Sequence, residues 1–99
     1  MLNIAKNVEN GEMDIALEGR LDTTTAPSLD AEIKGGLEGI TSLKFDLAKL
    51  EYISSAGLRV LLSSQKIMNK QGKMVISNAS EEIKEIFDVT GFSEILTIE

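Results

Sequence analysis

Apolar and polar residues alternate twice near the start of the chain. Met13, Ile15 and Leu17 alternate with Asp14, Ala16 and Glu18, and Leu2 and Ile4 alternate with polar neighbours. A period of two puts every second side chain on the same face of a strand. Asn10-Gly11 lies between the two runs, and both residues tolerate positive φ. Met1 to Val8 and Glu12 to Glu18 are therefore expected to form an antiparallel hairpin with one buried face. Gly19 to Pro27 reads as a connector into a helix. Leu29, Ile33 and Leu37 then recur every four residues, which is helical spacing. Thr23-Thr24-Thr25 offers N-cap oxygens, Pro27 suits the first turn, and Gly35-Gly36 weakens the last.

Alternation returns at Leu43, Phe45 and Leu47, set against Lys44 and Asp46, and predicts a third strand, with Tyr52-Ile53 closing the segment after it. Ser54-Ser55-Ala56-Gly57 leads into a second helical stripe of Leu58, Leu61, Leu62 and Met68. Arg59, Ser63, Lys66, Asn69 and Lys70 fall on its wet side, and Gly72 ends it. Met74-Val75-Ile76 is a short apolar run that fits a more buried strand. Ser80 can cap a third helix, with Glu81 and Glu82 in the first turn and Ile83, Ile86 and Phe87 on its apolar face. Gly91 fits the position just past its end, and Ile95, Leu96 and Ile98 form a final strand or tail. The expected order is β-β-α-β-α-β-α-β. A hairpin followed by alternating strand and helix predicts an α/β fold with a small mixed sheet and parallel crossovers.

Composition narrows the chemistry. The chain has 99 residues, which fits one domain over residues 1–99. Hydrophobic residues make up 42% and charged residues 26%, values of a folded globular chain. There is no Cys, His or Trp. Thiolate nucleophiles, Cys-ligated metals, imidazole ligands and a Ser-His-Asp triad are thereby excluded. The net charge is −6, and no stripe of Lys and Arg is present, so the chain does not read as a nucleic-acid binder. No run approaches the roughly 18 apolar residues of a membrane span, and the start lacks the basic and apolar regions of a signal peptide. A cytoplasmic protein is expected, without a cofactor and without a metal.

One segment stands out. Ser54-Ser55-Ala56-Gly57 sits where a loop enters a helix N-terminus, which favours anions through its free N–H groups and dipole. A Ser hydroxyl there caps the helix, and a phosphate on it would bring about −1.5 to −2 charge to that spot. Gly57 is expected to let another chain or a nucleotide approach the backbone. Plain capping accounts for the same pattern, at Ser80 as well as here. Asp22 and the Thr run fit turn and cap roles, and Glu81-Glu82 fits a solvated first turn.

Three segments together resemble the STAS domains, and among them the anti-sigma factor antagonists. The first is Gly19-Arg20-Leu21-Asp22 leading to Thr25-Ala26-Pro27. The second is Asp46-Leu47 followed by Tyr52-Ile53-Ser54-Ser55-Ala56-Gly57-Leu58 and Val60-Leu61-Leu62. The third is Ile86-Phe87-Asp88-Val89-Thr90-Gly91-Phe92. Their order and spacing match over nearly the whole chain. The resemblance implies a STAS fold, with helices mainly on one face of the sheet. It also implies a phosphorylatable Ser at the start of the second long helix. Aligning on Gly57-Leu58 places that acceptor at Ser55. Ser54 then stands where family members with Asp-Ser-Ser-Gly-Leu have Asp, and Ala56 replaces their second Ser. Ser54 is the alternative acceptor.

The resemblance further implies a non-enzymatic switch. Unphosphorylated, the chain would dock onto an anti-sigma factor with serine kinase activity and so release a sigma factor. Phosphorylation would separate the pair, and a phosphatase would fit as a further partner. The implied partner-binding residues are Asp22, Thr23, Ser54, Ser55, Ala56, Gly57, Leu58 and Arg59. An alternative keeps the fold without the switch: an unphosphorylated interaction or scaffold subunit of a transporter-associated or larger signalling complex. A small acid-dependent enzyme would need converging carboxylates, and no spacing in the chain provides them.

Overall fold

The computed structural model describes residues 2–99. Two strands, β1 (Leu2–Glu9) and β2 (Glu12–Leu21), form the expected hairpin. Its first predicted residue, Met1, lies outside the described residues. Asn10 and Gly11 take φ of 52° and 80°, the left-handed pair that a two-residue turn requires. Helix α1 (Ala26–Gly36) crosses to β3 (Ser42–Ile53), and α2 (Ser55–Met68) crosses to β4 (Lys73–Ser77). Helix α3 (Glu81–Thr90) and a 3-10 turn at Phe92–Glu94 complete the chain.

The sheet runs β1-β2-β3-β4, with β1 antiparallel to β2 and the other two pairs parallel. The expected α/β class and element order are met. The last expected strand shrinks to a single parallel bridge between Ile98 and Ile76. Backbone bonds of 2.8 Å, from Ile76 N to Thr97 O and from Glu99 N to Ile76 O, lay the chain end along β4.

Alternation is visible in the burial. Met13, Ile15 and Leu17 of β2, and Leu43, Phe45 and Leu47 of β3, point into the core, while Asp14, Ala16 and Lys44 face outward. Leu29 and Ile33 of α1, Leu61 and Met68 of α2, and Ile83 and Phe87 of α3 are buried in the same cluster. One face of the sheet is thus covered by the helices and the other is open. Lys6 pairs with Glu32 at 2.8 Å and ties β1 to α1.

The caps differ in detail from expectation. Thr25 stands at the N-cap of α1 but makes no side-chain cap bond. Its hydroxyl donates to Arg20 O at 2.8 Å and accepts from Asp22 N at 2.8 Å, so it closes the connector behind it. Ser80 caps α3 as expected, accepting from Ile83 N at 3.2 Å. Gly91 ends that helix in the left-handed region, with φ of 81°.

Strand β3 is longer than the alternation predicts. Its buried residues run Leu43, Phe45, Leu47, then Leu50 and Ile53, so the period changes from two to three. The pairing explains the change. Ala16 faces Asp46, yet Glu18 faces Lys49, and Gly19 faces Leu50, yet Arg20 faces Tyr52. Each slip inserts one extra residue into β3, which is a bulge. The Asp46 carboxylate accepts from Ala48 N at 3.0 Å and from Asn78 Nδ2 at 3.1 Å, which gives the first bulge a partner for its freed N–H. The Ala48 N–H, then Asn78, hold the Asp46 carboxyl below its ordinary value.

Two outcomes are expected. A Cβ at Gly72 would stand 1.8 Å from Thr41 O, so Gly72→Ala must move backbone. It should cost about 3 kcal/mol or more in urea unfolding. Asp46 has a folded pKa below its unfolded one, so its charge stabilises the fold at neutral pH and that stability is lost as pH falls through the folded value. Asp46→Asn keeps the shape without the charge. Its Tm should lie below wild type at pH 7, and the gap should narrow below about pH 4. A gap independent of pH would count against this role of Asp46.

Candidate functional site

The end of β2, the start of α1 and the start of α2 meet at one end of the sheet. Ser54 N donates to Leu21 O at 2.9 Å, which ties the loop between β3 and α2 to β2. Gly57 is buried beneath this contact. A Cβ there would fall 2.7 Å from Leu21 Cγ and 2.9 Å from Ile53 Cγ1, so only glycine lets α2 sit this close to the sheet. Leu58 is buried too. Both residues seat the helix from inside. The expectation that Gly57 opens the backbone to another chain or a nucleotide is corrected accordingly: the space above its Cα is filled by Leu21 and Ile53.

The two serines have different surroundings. Ser54 has extended backbone and caps α2, its hydroxyl accepting from Gly57 N at 3.3 Å. Ser55 is the first helical residue and is exposed. Among the described residues its hydroxyl has no hydrogen-bond partner. The capping role therefore falls on Ser54 and leaves the Ser55 oxygen open to solvent.

Asp22 stands beside this loop but is occupied by its own turn. Its Oδ1 accepts from Thr24 Oγ1 at 2.8 Å, Thr24 N at 3.0 Å and Thr25 N at 3.1 Å. The Thr24 hydroxyl leads the contacts that hold the Asp22 carboxyl below its usual value, against a smaller opposing effect of burial. These bonds set the shape of the connector, and at neutral pH the carboxyl stays ionised. Thr23 at the tip is exposed. With Pro27, Ala56, Arg59, Val60 and Ser63 it lines a shallow open groove between α1 and α2. Of the expected partner-binding residues, Thr23, Ala56 and Arg59 line this groove, Ser54 and Ser55 directly precede Ala56 in the chain, and Asp22 directly precedes Thr23.

Sequence reasoning left out a neighbouring pair. The Arg20 guanidinium lies 4.4 Å from the centre of the Tyr52 ring, and Arg20 Nε is 3.8 Å from Asp22 Oδ2. The two residues are cross-strand partners only because of the bulges in β3, which no alternation pattern announces. Among the described residues no group of three or more Asp and Glu side chains is placed to hold a metal ion. Among the described residues no helix is long and apolar enough to cross a membrane.

Known proteins share this fold. The STAS domain family matches residues 3–99. The anti-sigma-B factor antagonist of Bacillus subtilis is 32% identical over 100 residues, covering 98% of this chain and 92% of that one. An anti-sigma factor antagonist from Mycobacterium paratuberculosis superposes with a TM-score of 0.89 at 19% identity, covering 99% of this chain and 85% of that one. The antagonist SpoIIAA in its unphosphorylated form superposes with a TM-score of 0.78 at 17% identity, covering 98% and 87%. Bacillus SpoIIAA in the phosphorylated form gives 0.77 at 18%, covering 98% and 91%. With a family match spanning nearly every residue, and a relative 32% identical over 98% of this chain, the chain belongs to the STAS domain family and, within it, to the anti-sigma factor antagonists.

Proposed function

We propose that this chain is a partner switch whose state is written on Ser55. In the unmodified state, the Ser55 end of α2 and the groove beside it dock onto an anti-sigma factor that is also a serine kinase. Docking frees the sigma factor. The kinase then transfers the γ-phosphoryl group of ATP to Ser55. The bond from Ser55 Oγ to phosphorus forms, the bond to the β,γ-bridging oxygen breaks, ADP leaves, and the hydroxyl proton passes to the kinase. The observation that carries this reading is the division of labour between the serines. Ser54 holds the helix, and Ser55 presents a hydroxyl with no structural duty.

The physics of release follows from the location. Phosphate adds about −1.5 to −2 charge at an interface built for a neutral hydroxyl. Moving a complex from 99:1 bound to 1:99 takes about 5.5 kcal/mol of differential affinity. A dianion pressed against a partner without compensation is of that order, because its lost hydration is not replaced. The chain supplies the acceptor oxygen and the docking surface, and the kinase supplies the chemistry. A phosphatase that removes the phosphate would reset the switch. ATP and sigma factors place this exchange in the cytoplasm.

Incubation with ATP and the kinase-like anti-sigma factor of the same genome tests the proposal directly. Mass spectrometry should find phosphate on Ser55 and none after Ser55→Ala. Ser54→Ala should still be phosphorylated but should lose about 1 kcal/mol of stability with its cap. Phosphate on Ser54 instead would overturn the assignment. Ser55→Asp should keep the wild-type circular dichroism spectrum and bind the anti-sigma factor at least tenfold more weakly. Equal affinity would remove the charge argument and favour the scaffold reading.

A further inference from the structure

The chain has only two arginines, Arg20 and Arg59, and both stand at the Ser55 end of an otherwise acidic molecule. They are not equivalent. Arg20 is engaged, stacked on Tyr52 and close to Asp22. Arg59 is exposed on α2 and has no ion-pair partner among the described residues. Among the described residues, the one carboxylate that lines its groove, and that of Asp22 beside Thr23, are already committed. Asp30 lines the same groove and pairs with Lys34 at 2.9 Å, and Asp22 is held by Thr24 and Thr25. The groove thus ends in an uncompensated positive charge.

Arg59 lies four residues after Ser55, one helical turn on and on the same face. Side chains on a helix lean toward its N-terminus, so a long side chain at this position reaches back over the first turn. A guanidinium also matches phosphate better than any other side chain does.

Resting on phosphorylation at Ser55, we propose that Arg59 is the residue that closes on the phosphate. In the unmodified state its free guanidinium anchors a carboxylate on the partner. After modification it pairs with the phosphate one turn back. The groove mouth then turns from positive to negative, and the partner loses its anchor as well as meeting a new charge. Release becomes a change of partner for Arg59 in addition to repulsion.

The test separates this step from the kinase reaction. Phosphoserine is installed at position 55 during translation, so no kinase is needed, and the phosphate is titrated by 31P NMR. Free phosphoserine titrates near pH 6. The midpoint should be lower in the wild-type chain, and Arg59→Gln should raise it by about 0.3 pH unit or more. Arg59→Lys should fall between the two, Arg20→Gln should match wild type, and 1 M KCl should shrink the difference. Equal midpoints for wild type and Arg59→Gln would overturn the proposal, as would a larger rise from Arg20→Gln. Those results would leave the kinase reading standing. Conversely, if the anti-sigma factor neither binds nor phosphorylates wild type, that reading fails while the titration still decides what Arg59 does.

Discussion

The structure depends on how closely the first turn of α2 sits on the sheet. Gly57 leaves the space that Leu21 and Ile53 fill, and the Ser54 N–H reaches Leu21 O across the same gap. That contact sets the height of the helix above β2 and β3. A methyl group in the gap would lift the helix start and draw the Ser54 cap with it. Ser55 would then move relative to Thr23, and the groove between α1 and α2 would lose its shape. A buried glycine therefore governs an exposed hydroxyl that it never touches.

The bulges of β3 serve the same end. A strand with a strict period of two would put Leu50 and Ile53 on opposite faces. The two inserted residues return both to the core and deliver the chain to Ser54 directly above Leu21. Asp46 makes the first of these bulges tolerable by taking the N–H that the ladder no longer uses. Residues far from Ser54 and Ser55 thus decide the register at which their loop arrives.

Much of this was legible in the sequence, and for physical reasons. Asn10-Gly11 announces its turn because few other pairs accept two positive φ angles. Met13, Ile15 and Leu17 announce their face because one side of the sheet is open to water. Ser80 and Gly91 announce a helix because orphan backbone groups need such residues at its ends. What stayed hidden depends on contacts between distant segments. The Arg20–Tyr52 stack needs two register slips. The separate duties of Ser54 and Ser55 need the cap geometry, since the two residues are chemically identical. The inward role of Gly57 needs Leu21 from another strand. The final strand read from Ile95, Leu96 and Ile98 reduces to one bridge, because the Ile95 and Leu96 N–H groups bond back to Phe92 O and leave only the residues after them to reach β4.

Tyr52 is the chain's one tyrosine, and no tryptophan is present. It lies beneath Arg20, at the same end of the sheet as Ser55. Ultraviolet-excited emission from the unlabelled chain therefore originates almost wholly at one ring. A partner that lacks tryptophan near its contact face, on covering this end or shifting Arg20, changes the surroundings of that ring and no other. The fold carries a built-in optical probe at the end of the sheet where Ser55 lies.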